Sequence, residues 1–336
     1  MINIAIIGFG YWGPNLVRNF SSIQDVNVRK YLTSERERLK VVASMYPQTE
    51  VSTQIDELWN DSSIDAVVIA TPVFSHFPLA KKALESGKHV LLEKPMTDTV
   101  DHALALIELA AKQNKVLMVD HTFLYTSAVR KMKALIDDGT VGKVKYFDST
   151  RINLGLIQQD VNVLWDLAPH DISILDYLVQ DTPISVNATG VSHIHNGVEN
   201  IAYLTVNYTS NTLAHFSCSW SSPVKIRTML VGGDEKMIVF NDMEPTEKIK
   251  VYDTAHSVSS DEDKRKILVD YRVGDVYIPK LNNVEALSGM ARDFVSAITD
   301  GTTPVASWQS GLNTVKILEA AQKSIKSGGM EIKIQA

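Results

Sequence analysis

The chain opens with an apolar run, Ile2–Ile7, and then with three glycines in the spacing Gly-x-Gly-x-x-Gly. A buried strand that turns through such glycines into a helix is typical of a dinucleotide-binding βαβ unit. The first glycine permits a tight turn, the second lets the backbone approach a pyrophosphate, and the third allows helix and strand to pack closely. The alternative is that the glycines serve only a turn. The predicted cofactor-binding residues of this turn are Gly8, Gly10, Tyr11, Trp12 and Gly13.

The first 120 residues alternate short apolar runs with stretches of helical periodicity. The predicted strands are Ile2–Ile7, Val26–Leu32, Ala66–Ala70, His89–Leu92 and Val116–Val119. The predicted helices are Pro14–Ser22, Ser34–Met45, Phe77–Ser86 and Thr99–Gln113. Because the strands lack polar alternation, we expect them to be buried on both faces between helix layers. The pattern predicts an α/β Rossmann domain, with a doubly wound parallel sheet, over residues 1–121.

The pattern of the remaining residues, 122–336, predicts a second domain of the α+β class. Long alternating runs rich in Thr, Val and Tyr between Ile184 and Arg272 predict a large, mainly antiparallel open sheet. A further strand is predicted at Val144–Asn153. The predicted helices are Ser127–Asp138, Trp165–Val179, Val284–Thr299 and Ser310–Ser327, and the last two could instead pack on the first domain.

Composition excludes several classes of protein. A net charge of −6 argues against a nucleic-acid-binding surface. No apolar stretch approaches the ~20 residues of a membrane helix, and the first apolar run lacks the basic residues of a signal peptide. Neither a Cys/His cluster nor His-Glu-x-x-His occurs, so no metal site is predicted. The single cysteine, Cys218, excludes an intramolecular disulfide and is typical of a reducing compartment, so we expect a cytoplasmic protein.

The residues after the second strand bear on the choice between NAD and NADP. An acid here would hydrogen-bond the ribose hydroxyls of NAD, but the chain has Thr33 and Ser34, with Arg38 close by. Hydroxyls and a guanidinium suit a 2′-phosphate, which favours NADP over NAD. Alternatively, Ser34 caps the next helix, with Glu37 completing a capping box.

Two more segments follow predicted strands of the first domain. Thr71, Pro72 and His76 come after the third of these strands, where they would line the crevice beside the cofactor, although His76 could equally be structural. Glu93-Lys94-Pro95 follows the next strand. Lys94 is either a solvated lysine or a cation beside the reactive end of the cofactor, and Glu93 could simply pair with it.

Asp166 and His170 lie four residues apart at a predicted helix start, so they share one face of the helix. A carboxylate beside an imidazole sets its tautomer and raises its pKa, which suits a general acid and base. The alternative makes Asp166 the helix N-cap, with Pro169 in the first turn and His170 packed in the core.

Together these segments resemble the Gfo/Idh/MocA family, named for glucose–fructose oxidoreductase and inositol dehydrogenase. The resemblance is carried by the glycine turn, Val67–Pro72 with His76, Gly87–Pro95, and Asp166 with His170. It implies an NAD(P) cofactor and oxidation or reduction at a sugar or cyclitol carbon. It also implies that Lys94, Asp166 and His170 are catalytic. The chain departs from the family pattern at Thr33, where an acid is common, and at His121-Thr-Phe-Leu-Tyr125, where many members have Asn-x-Arg.

The segments Gly10–Asn15 and Val161–His170 resemble members associated with nucleotide sugars. The expected substrate is therefore a sugar or nucleotide sugar. A dehydrogenase of free sugars or inositol, and a non-catalytic NAD(P)-binding protein, are the alternatives. The family resemblance also implies that residues 122–336 bind the substrate and support assembly into a homodimer or homotetramer. Candidate substrate contacts are Tyr125, Arg151, Asn153, Trp165 and His170.

Overall fold

The computed structural model describes residues 1–8, 13–155, 157–193, 197–257 and 270–335. It divides the chain into two units, of which the first comprises Met1–Tyr125 and Val284–Lys316. The second comprises Thr126–Asn283 and Ile317–Ala336. The sequence predicted one boundary after residue 121, with the alternative that the two closing helices pack on the first domain, and residues 284–316 fall with the first unit. Within the described residues, no helix has both the length and the apolar character that crossing a bilayer requires.

The first unit contains a six-stranded parallel sheet of order β3-β2-β1-β4-β5-β6. Its strands are β1 (Ile2–Ile7), β2 (Val26–Leu32), β3 (Glu50–Ser52), β4 (Ala66–Ile69), β5 (His89–Glu93) and β6 (Leu117–Asp120). The central strands β1 and β4 are almost entirely buried, as unalternating apolar runs predict. Strand order reverses between β1 and β4, so their carboxyl ends mark the crevice where such sheets bind ligands.

Helices of the first unit are α1 (Gly13–Ser21), α2 (Arg36–Met45), α3 (Asp56–Trp59), α4 (His76–Glu85), α5 (Val100–Lys112) and α8 (Ala286–Thr299). The predicted start of α2 at Ser34 is wrong. The N-cap is Glu35, which makes no side-chain cap hydrogen bond; its N–H donates to Thr33 Oγ1 at 3.3 Å. The helix therefore begins two residues later than predicted, without the capping box.

Residues 284–316 belong to the first unit because their apolar side chains complete its core. Phe294 of α8 meets Phe20 of α1 edge to face, with ring centroids 6.3 Å apart, and both rings are fully buried. The Val119 N–H of β6 donates to the Ala306 carbonyl at 3.3 Å. This segment therefore covers the outer edge of the parallel sheet, which would otherwise present unpaired backbone groups.

The second unit contains a nine-stranded sheet of order β14-β13-β12-β11-β7-β10-β9-β8-β15, antiparallel except where β7 and β10 pair. Its strands are β7 (Val144–Leu154), β8 (Pro183–Val191), β9 (Ile201–Tyr208), β10 (Leu213–Ser219), β11 (Ser221–Gly233), β12 (Met237–Asn241), β13 (Ile249–Ser257), β14 (Asp270–Tyr277) and β15 (Ile332–Lys333). Its helices are α6 (Ser127–Asp137) and α7 (Val163–Val179), and α9 (Trp308–Lys326) contributes residues to both units. The predicted fold class is confirmed.

The central parts of β7 and β10 alternate between a buried and a more exposed face. Phe147 and Phe216 are buried, with ring centroids 5.6 Å apart, whereas Tyr146 and Leu213 lie on the opposite, exposed face. Cys218 lies on the buried face, and burial raises the pKa of its thiol above the ordinary value. The helix α7 packs on the buried face, which fixes the position of its side chains in the second unit.

Candidate active site

The turn after β1 is built so tightly that only glycine fits at its first position. Gly8 has φ +98°, and an added Cβ would lie 2.3 Å from the carbonyl oxygen of Ala70. Its N–H donates to the Leu32 carbonyl at 2.8 Å. Gly13 is the first residue of α1 and is buried, whereas the predicted positions Gly10, Tyr11 and Trp12 lie outside the described residues. A glycine at the reversal point between β1 and β4, before a helix, fits a dinucleotide.

A tyrosine of β2 supports this turn, and the sequence analysis did not identify it. The Tyr31 hydroxyl donates to the Gly8 carbonyl at 2.5 Å, and the side chain is fully buried. Burial raises the pKa of the phenol above its ordinary value, so the hydroxyl keeps its proton and remains a donor. The sequence contained no signal for this contact, because it depends on how β2 pairs with β1.

The residues after β2 form their own charge pair. The Arg38 Nε lies 2.6 Å from Glu35 Oε2, and both side chains are partly exposed. The guanidinium of Arg38 is therefore matched by a carboxylate, while Thr33 Oγ1 accepts the Glu35 N–H at 3.3 Å. Ser34 is exposed. These contacts do not distinguish between NAD and NADP.

His76 connects the segments that follow β4 and β5. Its ring is fully buried, with Nε2 at 2.8 Å from the Thr71 carbonyl oxygen and Nδ1 at 3.0 Å from the Pro95 carbonyl oxygen. Burial lowers the pKa of His76, although the two carbonyls oppose this shift. Pro72 is the N-cap of a short 3-10 helix, Val73–Ser75, that leads into α4. The described partners of His76 are thus backbone groups, and contact with a cofactor stays a prediction.

Lys94 directly follows β5, and its bond to Pro95 is cis. Glu93 Oε2 accepts the Lys94 N–H at 3.0 Å. Glu93 is also the register partner of Asp120 at the end of β6, so two carboxyl groups lie at neighbouring strand ends. Burial, with the charge of Asp120, raises the pKa of Glu93 to about 8, and burial raises the pKa of Asp120 to about 6. The positive charge of Lys94 opposes both shifts.

His121 directly follows Asp120, and we refer to Glu93, Lys94, Asp120 and His121 as the strand-end cluster. It is 1% exposed, and neither ring nitrogen has a hydrogen-bond partner among the described residues. Burial and the charge of Lys94 lower the pKa of His121 to about 3, so the ring is neutral. The sequence marked this position only as a departure from the Asn-x-Arg pattern.

Tyr125 is held inside the first unit. Its hydroxyl donates to Asp293 Oδ2 at 2.6 Å and accepts the Ala306 N–H at 3.2 Å. The ring is 6% exposed. These contacts give Tyr125 a structural role, and its contact with substrate stays a prediction.

In the second unit, α7 carries Asp166, Pro169 and His170. The predicted N-cap at Asp166 is wrong, because the N-cap is Asn162, whose Oδ1 accepts the N–H groups of Leu164 and Trp165 at 3.1 and 3.2 Å. The helix begins at Val163, so Pro169 lies inside it and not in the first turn. Asp166 and His170 are both half-buried, one turn apart on the same face.

Two acidic side chains of this helix, Asp166 and Asp171, accept hydrogen bonds from other elements of the second unit. Asp166 Oδ2 accepts the Trp220 Nε1–H at 2.9 Å. Asp171 directly follows His170. Its Oδ1 accepts the Arg151 Nε–H at 2.9 Å, and its Oδ2 accepts the Ser149 hydroxyl at 2.6 Å. The Arg151 side chain is 2% exposed, so its described partner is an internal carboxylate. Its role as a substrate contact stays a prediction.

The other two candidate substrate contacts are Asn153 and Trp165, and their contact with substrate stays a prediction. Asn153 is half-buried near the end of β7, and Trp165 is 9% exposed in the first turn of α7. Among the described residues, no group of three or more His, Cys, Asp or Glu side chains is arranged to hold a metal ion.

Comparisons with known proteins cover both units. The model of an oxidoreductase family with an NAD-binding Rossmann fold, GFO_IDH_MocA, matches residues 2–121. The model of the GFO/IDH/MocA C-terminal domain matches residues 129–239.

Several curated relatives are similar over different lengths. The uncharacterized oxidoreductase YdgJ of Escherichia coli (strain K12) is 32% identical over 215 residues, which is 60% of this chain and 60% of YdgJ. The scyllo-inositol 2-dehydrogenase (NADP(+)) IolW of Bacillus subtilis (strain 168) is 23% identical over 97% of this chain and 94% of IolW. The UDP-N-acetylglucosamine 3-dehydrogenase of Acidithiobacillus ferrooxidans is 27% identical over 64% of this chain and 66% of that enzyme.

Solved structures show the same fold. The structure of UDP-N-acetylglucosamine 3-dehydrogenase GnnA from A. ferrooxidans superposes with a TM-score of 0.82 at 21% identity, covering 98% of this chain and 99% of that one. Since the family models match most of the chain, with the glycine turn in the first and the Asp166–His170 helix in the second, the chain belongs to the Gfo/Idh/MocA family of oxidoreductases.

Proposed function

We propose that the protein is an NAD(P)-dependent oxidoreductase that transfers a hydride to or from a secondary carbinol carbon of a nucleotide sugar. The observation that carries this proposal is the position of Lys94. It directly follows β5, at the carboxyl edge of a parallel sheet whose first turn fits a dinucleotide. A cation at this edge suits an oxygen that gains negative charge during the reaction.

The proposed roles follow from the chemistry of three side chains. His170 takes the hydroxyl proton when hydride leaves the carbinol carbon, and returns it in the reverse direction. Asp166, one helical turn away, fixes the tautomer of His170 and stabilises its imidazolium form. Lys94 hydrogen-bonds the reacting oxygen. The dinucleotide, when bound, supplies the hydride acceptor or donor.

The nucleotide sugar is the proposed substrate because of the resemblance in Gly10–Asn15 and Val161–His170, and one relative is named as acting on UDP-N-acetylglucosamine. The proposed cofactor is NADP, because Thr33 and Ser34 stand where an acid would select NAD and Arg38 lies close by. IolW is named as an NADP(+) enzyme.

A substrate panel tests the proposal. Purified protein is mixed with NAD⁺ or NADP⁺ and with UDP- and dTDP-sugars, glucose or myo-inositol, and the absorbance of reduced nicotinamide is followed. Turnover with a nucleotide sugar and NADP⁺ is expected. Turnover only with glucose or inositol contradicts the nucleotide sugar, and cofactor binding without any turnover contradicts the enzyme.

Replacing the proposed general base gives the first mutational prediction. His170→Ala is expected to lower kcat by roughly 10²- to 10⁴-fold while cofactor affinity is kept, because proton transfer is lost and binding is not. Steady-state kinetics and titration of protein fluorescence with NADPH measure the two effects. The control is His193→Ala, since His193 is exposed and its described contact is made by its backbone N–H. A loss of cofactor binding in His170→Ala contradicts the assignment.

A further inference from the structure

The side chain of Trp220, which lies between β10 and β11, makes a hydrogen bond to the proposed catalytic helix. Its Nε1–H donates to Asp166 Oδ2 at 2.9 Å, across 54 positions of sequence. Trp220 is 2% exposed, so this hydrogen bond is shielded from water on the indole side. A shielded hydrogen bond to a carboxylate is among the stronger ones in proteins.

The indole cannot easily move away from Asp166. The Trp220 N–H donates to the Asn200 carbonyl at 3.0 Å, and the Trp220 carbonyl accepts the Gly155 N–H at 3.2 Å. A Cβ on Gly155 would lie 2.8 Å from Trp220 Cδ1, the ring carbon bonded to Nε1. The backbone of Trp220 is therefore tied on both sides, and the edge of its ring that donates lies directly against Gly155.

The helix that carries Asp166 is held equally firmly. Asn162 caps its first turn, and the Asn162 amide also donates to Glu199 Oε2 at 2.9 Å and to Gln322 Oε1 at 2.7 Å. Asp171, five residues after Asp166, is bound by Arg151 and Ser149 of β7. The hydrogen bond from Trp220 thus joins two fixed elements.

We infer that Trp220 is a positioning residue, which holds the Asp166 carboxylate in one orientation for pairing with His170. An indole N–H can only donate, so the hydrogen bond holds one oxygen of the Asp166 carboxyl group as an acceptor at a fixed position. With Oδ2 committed to Trp220, the rotation of the carboxyl group is restricted. The inference deepens the proposed function and rests on the roles given there to Asp166 and His170.

The hydrogen bond itself is tested without a substrate. The chain has five tryptophans, so ¹H–¹⁵N spectra show at most five indole N–H signals. The signal that disappears in Trp220→Phe is expected to shift in Asp166→Asn, whereas the signal that disappears in Trp59→Phe stays in place. Trp59 is the matched control because its buried Nε1 has no hydrogen-bond partner among the described residues. A Trp220 signal that does not respond to Asp166→Asn overturns the inference, whatever the substrate proves to be.

Kinetics then test the positioning role. With the nucleotide sugar that the wild type turns over fastest, Trp220→Phe is expected to lower kcat by roughly 10- to 100-fold, the loss expected for a hydrogen bond to a charged group, with KM for NADP⁺ unchanged. In an Asp166→Ala background the same change is expected to alter kcat by less than about twofold, because the partner is already absent. Equal losses in both backgrounds would show that Trp220 supports only the fold, which overturns the inference. Trp59→Phe serves again as the control.

A second variant keeps the indole and displaces it. Gly155→Ala is expected to lower kcat in the wild-type background and to have no further effect in Trp220→Phe, because the added methyl group acts through the edge of the ring. Thermal unfolding of each variant shows whether it folds. Additive losses of Gly155→Ala and Trp220→Phe contradict the inference.

Discussion

At the scale of single residues, the strand-end cluster of the first unit shows how burial sets charge. Glu93 and Asp120 are register partners with raised pKa values, while the pKa of the neighbouring His121 is lowered to about 3. All three shifts favour the neutral form, as expected where water is excluded. The charge of Lys94 acts on all three groups, and the proposed role of Lys94 is to stabilise negative charge on a substrate oxygen. Because Glu93 and His121 are neutral near pH 7, they leave more of its charge for that oxygen.

The raised pKa of Asp120 predicts how stability changes with pH. A carboxyl whose pKa rises from 3.8 to about 6 on folding binds more protons in the folded state between these values, so stability is lost as pH rises through this window. Asp120→Asn removes this loss and keeps an oxygen that can accept from Thr122. The variant is expected to unfold about 5 °C higher than the wild type at pH 8 and at the same temperature at pH 4.

Thermal unfolding followed by circular dichroism at both pH values measures this difference. The control is Asp56→Asn, whose side chain is 85% exposed and pairs only loosely with Lys82. For this control we expect the unfolding temperature to change by less than about 2 °C, because a solvated surface side chain contributes little to stability. A pH-independent effect of Asp120→Asn contradicts a titrating carboxyl at this position.

At the scale of elements, the sequence predicted what local pattern determines. The bounds of β1 and β2 were predicted without error, because β1 is a mainly apolar run that ends at Gly8 and β2 ends in Tyr31 and Leu32 before the polar Thr33. The three-residue strand β3 was missed, since so short a polar run has no periodicity. The start of α7 was predicted at Trp165, two residues too late. Asn162 and Asp166 are both good N-cap residues, and the sequence alone did not decide between them.

Contacts across the sheets could not be predicted from the sequence for a different reason. Hydrogen bonds such as Trp220 to Asp166 and Arg151 to Asp171 depend on strand register and on where a helix packs. A single sequence contains no signal for either. For the same reason Arg151 was considered a substrate contact, although its described partner is an internal carboxylate.

The cap of α7 gives a prediction at this scale. Asn162→Ala removes the acceptor of two helix N–H groups and the donor to Glu199 and Gln322, and is expected to destabilise the protein by roughly 2–3 kcal/mol. Thr99→Ala, which removes a cap with one acceptor contact to the His102 N–H, is expected to destabilise by only about 1 kcal/mol. Urea unfolding measures both, and an equal loss in the two variants contradicts the additional role of the Asn162 amide.

At the scale of the whole molecule, the fold is shared with enzymes that act on different sugars. The chain superposes with UDP-N-acetylglucosamine 3-dehydrogenase and, with a TM-score of 0.84, with a levoglucosan dehydrogenase. A common fold therefore leaves the substrate open, since function depends on the site. What this chain retains at the proposed catalytic positions is Lys94 in the first unit, and Asp166 and His170 in the second.

The exposed face of the nine-stranded sheet is the remaining feature at this scale. On neighbouring strands, Tyr146, Tyr203 and Leu213 are 37%, 50% and 47% exposed. Tyr203 also stacks on His215, with ring centroids 6.3 Å apart and planes within 11°. Rigid aromatic and aliphatic side chains on one flat face are typical of protein interfaces. We propose that this face joins copies of the chain in a homodimer or homotetramer.

A charge placed on this face tests the proposed assembly. Leu213→Glu is expected to convert the oligomer into monomers, because burying a carboxylate in an apolar contact costs several kcal/mol. Size-exclusion chromatography with light scattering measures the mass, and 37.2 kDa is the mass of one chain. The control is Met45→Glu, since Met45 is 58% exposed and belongs to α2 of the first unit, not to the sheet. A monomeric wild type contradicts the proposed assembly. An oligomer that survives Leu213→Glu shows that this face is not the interface, because an unpaired charge would not be tolerated in a tight contact between copies.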